Sequence, residues 1–137
     1  MNRFCFSNRS RGNLDTCHED LITLFNKVIE VTPYDIGISY GYRSVEEQYE
    51  LYKKGRELNI DSGRWEIYNS ADIVTNCDGK NIKSKHNERP SLALDFICYD
   101  EEGKLTYNPK YYLVVIGVII TIANQYNICL KSGMNWE

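Results

Sequence analysis

The chain has few of the features that cross-link a protein or anchor it in a membrane. Its five cysteines are odd in number and form no Cys-x-x-Cys pair, so neither a disulfide framework nor a zinc ribbon is expected. Free thiols favour synthesis in a reducing cytosol. The longest apolar run covers residues 113–123, short of the ~18 residues that cross a bilayer. The amino terminus lacks an apolar core, so we expect no signal peptide and no membrane span.

An excess of basic charge is also missing. The chain has 16 Lys and Arg against 19 Asp and Glu, a net charge of -3. Because a nucleic-acid surface is basic, no nucleic-acid partner is expected. The length of 137 residues and the hydrophobic content of 42% are those of one domain with a real core. We therefore expect a single domain over residues 1–137, and a monomer.

Apolar periodicity and turn residues predict helices and strands in mixed order. The predicted helices run from a cap at Asn13 or Asp15 to about Val31, from Val45 to about Glu57, and over about 110–126. The predicted strands cover residues 35–42, 93–99, 105–107 and 128–130, and residues 58–83 form a long loop with at most one short helix. Since no βαβ rhythm is present, the fold class is α+β, a small mainly antiparallel sheet with helices on one side.

The most informative segment joins one of the two histidines, His86, to Asp95 nine positions later. An imidazole and a carboxylate can both bind zinc. Asp95 lies in an apolar run that predicts a strand carrying the carboxylate into the interior, where it is costly unless it is paired or bound to a metal. The competing interpretation is structural, with a histidine in an exposed loop and an aspartate at a strand end.

Two further residues could carry chemistry. Arg43 follows a predicted strand and could bind a carboxylate or an oxyanion, although a surface ion pair with Glu46 or Glu47 is the alternative. Cys17 precedes His18, the other histidine. Side chains of adjacent residues on a helix point about 100° apart, so a Cys-His dyad at this place is disfavoured. A thiol-dependent hydrolase therefore stays a minor hypothesis.

Taken in order, these segments resemble the zinc peptidases of the M15 group. That group includes D-Ala-D-Ala carboxypeptidases and the L-alanyl-D-glutamate endopeptidases of phage endolysins. The likeness runs through nearly the whole chain. The blocks that carry it are residues 6–10, 13–14, 18–21, 32–38, 41–44, 47–48, 51–55, 84–86 and 90–95.

The resemblance implies a fold like that of D-Ala-D-Ala peptidases and hedgehog domains. It also implies a Zn²⁺ ion held by His86 and Asp95, with Arg43 as a catalytic residue at the scissile carbonyl. Gln48 and Ser84 would contact the substrate or support the site. The expected substrate is the peptidoglycan stem peptide, cut between L-Ala and D-Glu. Such a chain would be made in a host cytoplasm and would act at the bacterial cell wall.

The carboxyl end departs from the family pattern. In the family, a tryptophan-bearing segment is followed by an acidic general base and a third zinc ligand, a histidine. Residues 131–136 resemble that segment, but Glu137 is the last residue and no histidine follows. The expectation is a domain that is short at this end. Glu137, Asp72 or a partner chain could then supply the third ligand, or the module could be a degenerate one that only binds the cell wall.

Overall fold

The computed structural model describes residues 4–131. The helices of this part of the chain are α1 (Asn8–Asp15), α2 (Glu19–Val31), α3 (Val45–Lys53) and α4 (Pro109–Gln125). The strands are β1 (Ile36–Tyr40), β2 (Arg56–Asn59), β3 (Arg64–Ile67), β4 (Asp95–Tyr99) and β5 (Leu105–Thr106). Short 3-10 helices lie at Ser70–Asp72 and Lys85–Asn87.

The strands form two separate antiparallel sheets. In the main sheet the order is β1-β4-β5, with Ile36 opposite Cys98 and Ile38 opposite Phe96. Strands β2 and β3 pair with each other as a hairpin. The predicted α+β class with a small antiparallel sheet is confirmed, as are the pairing of the β5 segment and the long carboxyl-terminal helix α4.

The core lies between the main sheet and helices α1, α2 and α4. Its fully buried side chains come from each of these elements and include Leu14, Leu24, Val28, Ile38 and Val115. In α2 the buried positions repeat at helical spacing, which directs one face of the helix to the core. The core therefore fixes β1 and β4 side by side. The end of β1 lies beside the start of β4, because the two strands are antiparallel neighbours.

The first predicted helix is wrong at its start and in its continuity, because two helices occupy its place. The chain between α1 and α2 leaves the helix to bond with Ser91, which accepts from the His18 amide at 2.8 Å and donates its own amide to the Thr16 carbonyl at 2.9 Å. His18 then caps α2, since its Nδ1 accepts the amide of Asp20 at 3.1 Å. Tertiary bonds thus override local helical spacing.

The second predicted helix also ends earlier than expected, at Lys53. Gly55 has a φ of +80°, and a Cβ at this position would lie 2.6 Å from the Asn69 carbonyl oxygen. The backbone turns here to start the β2–β3 hairpin. Part of the predicted loop over residues 58–83 is therefore regular structure, namely the end of β2 and all of β3, and the short helix allowed there is present at Ser70–Asp72.

Residues 128–130 do not form the predicted last strand. The Ile128 amide instead donates to the Ala123 carbonyl at 2.8 Å and closes the end of α4. Asn127 makes the turn with a φ of 54°. Residues 132–137, including the candidate third ligand Glu137, lie outside the described residues. Within residues 4–131, no helix is both long enough and apolar enough to cross a bilayer.

Candidate active site

His86 is held by a short capped helix. The Ser84 hydroxyl accepts the His86 amide at 3.2 Å, and the Asn87 side-chain oxygen accepts the Ser84 amide at 2.9 Å, which together form a capping box. His86 itself is 6% exposed. The structural interpretation of the sequence, which placed this histidine in an exposed loop, is therefore wrong. Ser84 acts in this structure as the cap that fixes it.

The tautomer of His86 follows from its neighbours. Its Nδ1 lies 2.8 Å from the carbonyl oxygen of Gly41, which can only accept a hydrogen bond. Nδ1 therefore donates its N–H to this carbonyl, which leaves Nε2 as the ring nitrogen that faces Asp95. Nε2 lies 3.4 Å from Asp95 Oδ2. A proton on Nε2 would make this contact an ion pair, and a metal ion between the two atoms would make both of them ligands.

Asp95 begins β4 and lies opposite Tyr40 at an irregularity in the β1–β4 pairing. Its side chain is 51% exposed, so the prediction that it points into an apolar interior is wrong. Partial burial raises the pKa of the Asp95 carboxyl, but the hydrogen bond and charge of His86 and the charge of Arg43 outweigh burial and hold the pKa below its usual value. The Asp95 side chain is therefore ionised at neutral pH and is half exposed to solvent at the start of β4.

Arg43 completes the cluster. Its Nη2 lies 3.3 Å from Asp95 Oδ2, the same oxygen that faces His86. Its backbone amide donates to the His86 carbonyl at 2.8 Å. The Tyr40 ring centroid lies 4.6 Å from the guanidinium carbon. The alternative of a surface ion pair does not hold, since Arg43 is 7% exposed and Glu47 instead accepts the Ser44 amide at 3.3 Å.

Gln48 fixes the guanidinium from behind. Its Oε1 accepts from Arg43 Nη1 at 2.8 Å, and its Nε2 donates to the Cys77 carbonyl at 2.9 Å and to Thr75 Oγ1 at 3.2 Å. The side chain is fully buried. In this structure Gln48 therefore orients Arg43 and has no exposed surface of its own.

Sequence reasoning missed three residues that build the site. Gly41 supplies the carbonyl to His86, and a Cβ there would lie 2.2 Å from the Asn13 carbonyl oxygen, so only glycine fits. Asn87 donates to the Arg43 carbonyl at 2.8 Å and ties the two loops together. Tyr40 covers the guanidinium. The Ser-x-x-Asn spacing of residues 84–87 was a usable signal for the cap, whereas Gly41 was noted only within the resembling block 41–44 and no signal identified Tyr40.

The pair His86 and Asp95 fits a zinc ion. Two donors bound at about 2.0–2.1 Å to a tetrahedral ion are about 3.3 Å apart, and the two atoms here are 3.4 Å apart. The Gly41 carbonyl also provides the hydrogen bond that ligating histidines usually make through the second nitrogen. Within residues 4–131, no three His, Cys, Asp or Glu side chains form a group able to hold a metal, so Asp72 does not complete the pair.

The structure gives no support to a thiol nucleophile at Cys17. Burial raises the pKa of the Cys17 thiol to about 11, and the hydrogen bond to Thr16 only partly opposes this effect. The thiol is thus protonated near neutral pH and is a poor nucleophile. His18, its sequence neighbour, is engaged as the cap of α2.

Comparison with known proteins identifies first the fold and then the family. The crystal structure of the Serratia marcescens L-Ala D-Glu endopeptidase ChiX matches with a TM-score of 0.69 and 18% identity, over 98% of this chain and 84% of that one. Residues 2–73 match the family described as phage L-alanyl-D-glutamate peptidase. The chain belongs to this family, and the family resemblance seen in the sequence is confirmed. No curated protein matches the chain.

Proposed function

We propose that this chain is a zinc-dependent peptidase that hydrolyses the bond between L-Ala and D-Glu in the peptidoglycan stem peptide. The observation that carries the proposal is the convergence of His86 Nε2 and Asp95 Oδ2 at 3.4 Å beside a buried arginine. The family to which the chain belongs is described by this same peptidase activity. The structural relative is named for it as well.

The roles of the residues follow from their contacts. His86 and Asp95 would hold the ion, which when bound polarises an amide carbonyl and lowers the pKa of a water to about 7. Arg43 has N–H groups left beyond those used by Gln48 and Asp95. A fixed guanidinium beside the centre would stabilise negative charge on the carbonyl oxygen. Gln48, Ser84 and Asn87 would keep these groups in place before the substrate arrives.

We propose further that the chain acts at the cell wall after synthesis in a host cytoplasm. The proposed substrate lies in the wall, and the family to which the chain belongs is described as a phage peptidase.

A second candidate function is a cell-wall-binding module without catalysis. It is favoured by one observation, namely that the described residues bring together two metal-binding side chains where a catalytic zinc site uses three. Such a module would bind peptidoglycan and release no amino termini. The same assay therefore separates the two candidates.

The test is the release of new amino termini from purified peptidoglycan, with added zinc and with chelator. We expect release with zinc, none with chelator, and a loss of more than about 10- to 100-fold in His86→Ala, since loss of a residue that merely supports a ligand already costs that much. His18→Ala is the matched control, since it deletes the other imidazole at the cap of α2.

Each alternative has its own outcome. Release that is unaffected by His86→Ala would contradict the proposed centre. Binding of the wall without release in any condition would favour the non-catalytic module. Equal losses in His86→Ala and His18→Ala, with both variants folded by thermal unfolding, would contradict a specific role for His86.

A further inference from the structure

The segment that carries His86 is unusually basic for this chain. Residues 80–89 contain four cations and one acid, Glu88, in a protein with a net charge of -3. The four cationic side chains are all exposed. They are Lys80, Lys83, Lys85 and Arg89, which we call the cationic strip. This charge lies on the loop of the candidate active site.

The cationic strip is not neutralised locally. No salt bridge joins any of its four side chains to a carboxylate in the part of the chain that the structure describes. The nearest acid in sequence before the strip is Asp78. Its Oδ1 accepts the backbone amides of residues 80, 81 and 82 at 2.8–2.9 Å, which commits it to the turn. With Glu88 counted, residues 80–89 still carry four cations against one acid, so the strip presents an excess of positive charge.

Aromatic rings hold the two ends of the strip. Lys80 Nζ lies 3.9 Å from the ring centroid of Tyr49, on α3. The guanidinium carbon of Arg89 lies 4.6 Å from the ring centroid of Tyr42. A cation over a ring loses little of its hydrogen-bonding capacity but is restricted in position. Both ends are therefore ordered without being paired.

The strip also flanks the candidate centre. Tyr42, which holds Arg89, lies between Gly41 and Arg43, and both of these residues hydrogen bond to His86. At the other end, Tyr49 follows Gln48, which orients Arg43. A ligand with several negative charges could therefore contact the strip while one of its bonds lies near His86 and Asp95.

We propose that the cationic strip binds free carboxylates of the peptidoglycan stem peptide and aligns that peptide with the candidate zinc centre. The inference rests on the proposed function. A glutamate has two carboxyl groups, of which only one can enter the main chain of a linear peptide. A free carboxylate therefore remains beside the bond that would be cut. Lysine and arginine side chains bind carboxylates through charge-assisted hydrogen bonds.

The test measures binding without hydrolysis. Cosedimentation with purified peptidoglycan, freed of phosphate polymers, is run with chelator over a range of salt concentrations. The strip variant is Lys83→Glu/Lys85→Glu/Arg89→Glu. The control variant, Lys27→Glu/Lys104→Glu/Lys110→Glu, makes the same change in net charge at exposed lysines away from the strip.

We expect the strip variant to bind about tenfold more weakly than wild type at low salt and to lose most of its salt dependence. Salt screens surface charges, with a Debye length of about 30 Å at 0.01 M and about 8 Å at physiological ionic strength. The control variant should bind like wild type. Thermal unfolding of both variants checks that they are folded. Equal weakening of the two variants, or of neither, would overturn the inference.

Two further preparations identify the anion. When the carboxyl groups of peptidoglycan have been converted to amides, wild type and the strip variant should bind it equally weakly. If wild type binds treated and untreated peptidoglycan equally well, the inference is overturned. Binding that requires attached phosphate polymers would also overturn it. Strip-dependent binding without zinc-dependent release would refute only the proposed function, whereas release with strip-independent binding would refute only this inference.

Discussion

At the residue scale, the site depends on a few side chains whose roles come from their partners. One oxygen of Asp95, Oδ2, faces both Nε2 of His86 and the guanidinium of Arg43. The types of these three residues could be predicted from the sequence because the chemistry restricts the choice. The Gly41 carbonyl and the Tyr40 ring could not, because a carbonyl acceptor has no sequence signature and tyrosine is common in this chain.

Tyr40 offers a test at this scale. Its ring lies 4.6 Å from the Arg43 guanidinium and is 39% exposed. We expect Tyr40→Ala to lower kcat by roughly 2- to 30-fold, since a cation–π contact contributes about 0.5–2 kcal/mol to holding the guanidinium. Tyr40→Phe keeps the ring face and should retain most of the rate.

The measurement is kcat and KM on a soluble stem-peptide substrate. Tyr107→Ala is the control, since that tyrosine is 76% exposed and lies on another part of the chain. If Tyr40→Phe and Tyr40→Ala lose the same activity, the hydroxyl rather than the ring face is important, and the positioning role of Tyr40 is wrong.

At the element scale, local sequence patterns predicted the place of most helices and strands, but not the changes that tertiary contacts impose on them. Helix α4 and strand β5 lie where the apolar spacing and the turn predicted them. The break between α1 and α2 could not be predicted, because it depends on hydrogen bonds to Ser91, far away in the sequence. The β2–β3 hairpin was missed because its two strands have only 4 residues each and lie in a polar stretch, so that the alternation in β3 is too short to stand out.

The hairpin provides the element-scale prediction. It is attached to α3 by Trp65, whose indole N–H donates to the Tyr49 hydroxyl at 2.8 Å and whose ring packs edge-on against Tyr49 at 6.1 Å. We expect Trp65→Ala to cost about 1–2 kcal/mol, less than a fully buried aromatic would, and to release the hairpin locally.

Hydrogen exchange measures this local release. Amides of β2 and β3 should exchange faster in Trp65→Ala, while those of β1 and β4 stay protected. Trp65→Phe is the control that keeps a ring without the hydrogen bond, and it should have a smaller effect. Uniform acceleration over the whole chain, or none, would contradict the view that Trp65 anchors only the hairpin.

At the scale of the whole molecule, a small core fixes β1 and β4 next to each other, and the site is assembled where β1 ends and β4 begins. Buried side chains of α1, α2, α4, β1 and β4 form one cluster, and the loops beyond β1 and before β4 meet outside it. The residue types of the site and the α+β class were predictable, since both depend on short patterns. The convergence of residues 43, 86 and 95 could not be derived from spacing and was expected only through family resemblance.

The most direct test of the account identifies the bond that is cut. Wild-type protein is incubated with purified peptidoglycan and zinc, and the newly exposed amino-terminal residue is determined together with its configuration. The account predicts D-glutamate as the new amino terminus, with none appearing in His86→Ala or with chelator. A different new terminus, or none with zinc present, would contradict the proposed activity.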